Sequence, residues 1–139
     1  MPFALHHVAV QTSDFDRAYQ FFHHFLGLDV VSEPQVFKTR RLCFLRAGAV
    51  EIELYSTKQT DCPTPYSPAG LGPIHLAFSV DDLDSFLKRC HEHKVPIIKP
   101  PFELKSSDGA PTRLAFIEGP DGQELEIRAL PDPFPRNNT

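Results

Sequence analysis

His7-Val8-Ala9-Val10, leading into Asp14-Phe15-Asp16, is echoed 68 residues later by His75-Leu76-Ala77-Phe78, leading into Asp82-Leu83-Asp84. Each stretch later ends in a short apolar run carrying a glutamate, Ile52-Glu53-Leu54 in the first and Leu125-Glu126-Ile127 in the second, 73 positions apart. The chain is an internal duplication, and each copy places one histidine and one carboxylate at matching positions. Two imidazoles and two carboxylates form a mixed N/O donor set for a divalent metal ion.

Around these anchors each copy reads as β-α-β-β-β. A strand over about 4–11 is followed by a helix capped by Thr12, Ser13 or Asp14, with acid in its first turn at Asp16. Phe15, Ala18, Tyr19, Phe22, Phe25 and Leu26 recur at helical spacing, and Gly27 stands where a C-terminal glycine belongs. Strands are predicted at about 28–33, 40–46 and 49–55, the last two joined through Ala47-Gly48. The second copy repeats the order, with strands at about 74–80, 96–99, 112–117 and 123–129 and a helix over 82–93. Residues 56–73, rich in Thr, Pro and Gly, read as a connector, 100–111 as a loop able to close over substrate, and 131–139 as a loose tail. The fold class is therefore α+β: one domain of two βαβββ modules, 4–55 and 74–130, whose curled mixed sheet encloses a metal-binding cleft.

Strand alternation decides which side chains share a face. Val8 and Val10, Leu76 and Phe78, Ile52 and Leu54, and Leu125 and Ile127 are the apolar sets expected under the helices. The opposite face then carries His7, Ala9 and Gln11; His75 and Ala77; Glu53 and Tyr55; and Glu126 and Arg128. All four candidate ligands, His7, Glu53, His75 and Glu126, fall on that face, one from each of four strands. His6 would replace His7 if the register slipped by one, but the repeat aligns His6 with Ile74. The donor set suits nickel, cobalt, zinc, manganese or iron(II) with open positions for substrate oxygens. Such an ion polarises a carbonyl and acidifies the adjacent C–H, and Glu53 or Glu126 is then the candidate general base. Gln11, Tyr55, Arg113 and Arg128 are candidate substrate contacts. The pairs His23-His24 and His91/His93 are expected on solvent-facing helix surface.

Composition narrows the partners. At 139 residues with a formal net charge of -4 and pI near 5.9, the chain lacks the basic stripe that nucleic acid requires. No apolar run approaches the roughly 20 residues of a membrane span, and the N-terminus runs straight into the first strand, so a cytoplasmic location is expected. Cys43, Cys62 and Cys90 have neither the number nor the spacing of a disulfide or thiolate framework.

Over about residues 4 to 130 the sequence resembles the vicinal oxygen chelate superfamily, and most closely its glyoxalase I-like members. The resemblance rests on Leu5-His6-His7-Val8-Ala9-Val10, Phe21-Phe22 with Leu26-Gly27-Leu28, Ile52-Glu53-Leu54, Ile74-His75-Leu76-Ala77-Phe78 and Gly119-Pro120-Asp121-Gly122-Gln123-Glu124-Leu125-Glu126-Ile127. It implies a metal held by His7, Glu53, His75 and Glu126, a small-molecule substrate, a lyase or isomerase reaction, and a homodimer. Two positions depart from the glutathione-using pattern: Gln11 stands where an arginine is common, and Ser56-Thr57 where an asparagine is expected. Methylmalonyl-CoA epimerases, which usually have Gln at the second ligand, and metal-free drug-sequestering members of the superfamily are the alternatives the resemblance carries.

Overall fold

The computed structural model describes residues 1–58, 60–105 and 111–130. The chain divides into two compact units, Met1–Pro65 and Tyr66–Thr139, a division that falls inside the connector 56–73. In the first unit the order is β1 (His7–Thr12), α1 (Phe15–Tyr19), a π-helical segment (Gln20–Phe25), β2 (Asp29–Phe37), β3 (Arg40–Ala47) and β4 (Val50–Ser56). The second runs β5 (Leu76–Val80), α2 (Leu83–Glu92), β6 (Ile97–Lys105), β7 (Pro111–Glu118) and β8 (Glu124–Ala129). Each unit builds its own open four-stranded mixed sheet, ordered β1-β4-β3-β2 and β5-β8-β7-β6. The pairs β1–β4 and β5–β8 are parallel and the others antiparallel.

The helices begin the same way because their caps repeat. Asp14 is extended (φ −134°) and its carboxylate accepts from the Arg17 N–H; Asp82 (φ −130°) accepts from the Ser85 N–H. Each satisfies a donor that the first helical turn leaves open. Of the three capping candidates it is Asp14 that caps, while the Thr12 hydroxyl donates to the Asp14 carbonyl. Replacing Asp14 with Ala is expected to cost about 1 kcal/mol in urea unfolding. The Ser85 backbone N–H and hydroxyl hold the Asp82 carboxyl below the usual carboxylate range. Its capping is therefore intact above about pH 4 and is lost as the pH falls through that lowered value.

A second repeated contact ties each helix to its sheet. Arg41 Nη1 lies 3.0 Å from Asp16 Oδ1, and Arg113 Nη2 lies 2.8 Å from Asp84 Oδ1. These pairs mark the helix-facing side of each sheet. Beneath it are buried Phe15, Ala18, Phe22, Leu45, Ile52 and Leu54 in the first unit, and Leu83, Phe86, Ala115, Ile117, Leu125 and Ile127 in the second. Buried Cys43 and Cys90 belong to these layers, and desolvation pushes both thiols up to about 11, which suits apolar fillers rather than nucleophiles.

Three sequence expectations change. The strands predicted at 28–33 and 96–99 extend to Phe37 and Lys105, each passing a register shift near its prolines, Pro34 in β2 and Pro100-Pro101 in β6. Proline is tolerated there because β2 and β6 are edge strands. The expected loop 100–111 is consequently strand up to Lys105 and again from Pro111, while 106–110, like the tail 131–139, lies outside the described residues. The first helix also changes winding, because Leu26 N–H bonds back to the Phe21 carbonyl five residues earlier. Among the described residues no helix is long and apolar enough to cross a membrane.

Candidate metal centre

The face away from the helix carries the same constellation in each unit. In the first, Ala9 lies opposite Glu53 across the parallel β1–β4 pair, and Phe44 lies opposite Glu53 across β3–β4. In the second, Ala77 and Phe116 are the corresponding partners of Glu126. The histidine stands two residues before the alanine in both, so His and Glu meet diagonally across a parallel strand pair. His7 Nε2 lies 3.9 Å from Glu53 Oε1, and His75 Nε2 lies 3.5 Å from Glu126 Oε2. Two ligands about 2.0–2.2 Å from one ion and set 90–120° apart would be separated by about 2.8–3.8 Å. Each pair is thus within a few tenths of an ångström of bidentate reach, and the residues fit a divalent ion. Among the described residues no three His, Cys, Asp or Glu side chains are gathered closely enough to hold a metal ion.

An aromatic ring fixes each imidazole. Phe44 meets His7 edge-on with centroids 5.4 Å apart, and Phe116 meets His75 at 5.5 Å, with interplanar angles of 89° and 87°. Neither phenylalanine stands among the sequence-based candidates, although their spacing of 72 repeats the offset of the strands that carry them. Phe116 is also stacked on Phe102 and lies beneath the Lys99 ammonium, 4.7 Å from the ring centroid. Glu126 is a buried carboxylate, 8% exposed. Small, exposed Ala9 and Ala77 leave room beside the two glutamates.

His6 is the neighbour of this arrangement. It precedes β1, its Nε2 is 3.8 Å from Glu51 Oε2, and its Nδ1 is 2.8 Å from His7 Nδ1. Engaging the His7 Nδ1 leaves Nε2 as the nitrogen turned to Glu53, the kind of outer contact that orients a ligating imidazole. Only the His7–Glu53 pair has a counterpart in the second unit, where Ile74 occupies the place of His6.

The remaining candidates divide. Gln11 and Tyr55 are register partners on the ligand face of the first unit, joined there by Arg40. Arg40 Nη2 donates to Gln11 Oε1 (2.8 Å), its Nε donates to the Ser56 carbonyl (2.9 Å), and its guanidinium covers the Tyr55 ring at 4.3 Å. In the sequence Arg40 stands in the short basic cluster Lys38-Thr39-Arg40-Arg41, with no local pattern that marks it as a site residue. Arg128 shares the face of Glu126, two residues on. Arg113 does not: it is three residues from Phe116, hence on the helix side, where Asp84 occupies its guanidinium. His23 Nδ1 is spent on the Leu28 carbonyl (2.8 Å), and its ring is tilted against Tyr19, so that histidine is a helix-end contact rather than plain solvent-facing surface.

The chain is similar to known proteins over most of its length. The family model of the Glyoxalase/Bleomycin resistance protein/Dioxygenase superfamily matches residues 4–127. The uncharacterized protein YwkD of Bacillus subtilis is 31% identical over 130 residues, covering 89% of this chain and 94% of its own. A probable lactoylglutathione lyase of Synechocystis is 23% identical over 122 residues, covering 87% of this chain and 91% of that protein. The crystal structure of a glyoxalase family protein from Enterococcus faecalis superposes with a TM-score of 0.71 at 26% identity, over 90% of this chain and 96% of the other. With its repeated βαβββ units and a family match across nearly its whole length, the chain belongs to the Glyoxalase/Bleomycin resistance protein/Dioxygenase superfamily.

Proposed function

We propose that this protein is a metal-dependent enzyme of the glyoxalase I type, a lyase or isomerase that moves a proton next to the carbonyl of a small chelating substrate. The observation that carries the reading is the recurrence, in both units, of a histidine and a glutamate meeting diagonally across a parallel strand pair with a phenylalanine against the imidazole. His7, Glu53, His75 and Glu126 would together hold one divalent ion, of nickel, cobalt, zinc, manganese or iron(II) type. When bound, that ion supplies Lewis-acid polarisation of the substrate carbonyl.

The other tasks fall to the chain itself. One glutamate, Glu53 or Glu126, takes the proton from the carbon beside the carbonyl and returns it to the neighbouring carbon. Phe44 and Phe116 hold the imidazoles in place and keep water from that proton. Gln11 is committed to Arg40, which is itself satisfied by Ser56 and lies over Tyr55, so this corner of the first unit offers no uncompensated guanidinium to an anionic arm of glutathione. A homodimer in the cytoplasm completes the reading.

Metal analysis of the purified protein tests it. About one equivalent of divalent metal per chain is expected, absent from a His7→Ala/His75→Ala double variant that keeps its circular dichroism spectrum. A wild-type protein that takes up no divalent metal at neutral pH would overturn the proposal in favour of a metal-free small-molecule binder. Among Glu53→Gln and Glu126→Gln, the variant that keeps its metal and loses turnover by roughly 10²–10⁴ identifies the base.

A further inference from the structure

The two copies match at the ligands and differ one step further along the same face. In the first unit that step is closed: Arg40 is satisfied by Gln11 and Ser56 and lies over Tyr55. In the second unit, by strand register, Arg128 takes the place of Tyr55 and Thr112 the place of Arg40. Here two polar atoms are buried without a partner, Arg128 Nε and Thr112 Oγ1. Thr112 is 3% exposed, and a buried donor left without a partner is unfavourable unless something fills it.

The two side chains lie together. Leu114 is the register partner of Arg128, and Thr112 is two residues before Leu114, so Thr112 and Arg128 are diagonal neighbours on the face of Glu126. Ser79, the β5 partner of Arg128, is small and exposed, as is Ala77 two residues before it. Arg41, Arg46 and Arg113 each have a carboxylate within 4.0 Å, whereas Arg128 has none among the described residues. An uncompensated guanidinium and a donating hydroxyl set side by side, both without a partner, are the donors of an oxyanion subsite.

We propose that Arg128 and Thr112 bind an oxyanion at the far end of the substrate, which is therefore a small molecule with chelating oxygens at one end and a carboxylate-like group at the other. This rests on the metal-chelation reading for the first end only. Two residues of strand separate Arg128 from Glu126, roughly 7 Å, which corresponds to a chain of about four to six bonds between the two ends. The Arg128 Nε–H and the Thr112 O–H donate to the same anionic group, and the duplication's asymmetry sets which way round the substrate lies.

Two probes of equal length test this on the full chain loaded with nickel: 2-oxoadipate, and 2-oxohexanoate, which ends in a methyl group. Calorimetry is expected to show 2-oxoadipate binding roughly tenfold to a hundredfold tighter. Arg128→Met, which keeps the side chain's bulk, should reduce that preference below about threefold and leave 2-oxohexanoate unchanged; Thr112→Val should remove part of it. Equal binding of the two probes by the wild type, or a preference that survives Arg128→Met, overturns the subsite. The ¹⁵N resonance of the Arg128 Nε separates this from the metal reading. A shift with 2-oxoadipate in the metal-free protein retains the subsite even if metal uptake fails, and no shift in either form rejects it.

Discussion

On the proposed metal centre, treating the metal-loaded protein with a chelator is expected to lower the unfolding midpoint by roughly 10 °C or more. A ligand present at a thousand times its Kd stabilises the folded state by about 4 kcal/mol, and about 1 kcal/mol moves the midpoint of a domain this size by about 3 °C. The donors explain why the effect falls on folding. His7 and Glu53 are brought together only when β1 pairs with β4, and His75 and Glu126 only when β5 pairs with β8. An unfolded chain holds neither pair, so binding energy becomes folding energy. His75→Ala alone should abolish most of the chelator-sensitive shift, because it leaves Glu126 without its diagonal partner. His91→Ala, on the exposed surface of α2, should leave the shift intact. Scanning calorimetry with and without chelator reads all three; a wild-type midpoint that moves by less than about 2 °C would reject metal-coupled stability.

The features legible in the sequence were those governed by period and repeat. Alternation along 7–11, 51–55, 75–79 and 124–128 separates ligand face from helix face, and the structure's register places Ala9 against Glu53 and Ala77 against Glu126 accordingly. The same rule, counted from Phe116, puts Arg113 under the helix; beginning a strand near a site does not say which way a side chain points. The lengths of β2 and β6 were hidden because Pro34 and Pro100-Pro101 read as loop signals, whereas an edge strand with a register shift accommodates them. The π-helical winding of 20–25 had no sequence mark, since it depends on a backbone bond from Leu26 to Phe21. Arg40 joined the ligand face through contacts with Gln11, Ser56 and Tyr55 that no local pattern encodes.

Phe22→Ala is expected to cost about 3–5 kcal/mol, the largest loss of any single truncation in the first unit. Phe22 is 0% exposed, in the π-helical segment, with its ring edge-on to Phe21 at 5.3 Å. The repeat shows why this position carries so much. Ala18 and Phe22 correspond to Phe86 and Cys90, each pair 68 residues apart, and all four side chains are buried. One turn of helix therefore presents a small and a large residue to the sheet in either copy, in opposite order. Total volume is kept while the large ring sits at a different height, so each unit is packed around its own phenylalanine and neither sheet can collapse into the space left by its loss. Cys90→Ala, at the equivalent position, removes only a sulfur and should cost about 1 kcal/mol; Phe86→Ala should match Phe22→Ala. Urea titrations of the three variants check the order. A Phe22→Ala loss no larger than that of Cys90→Ala would mean that the first unit's core is not built on Phe22.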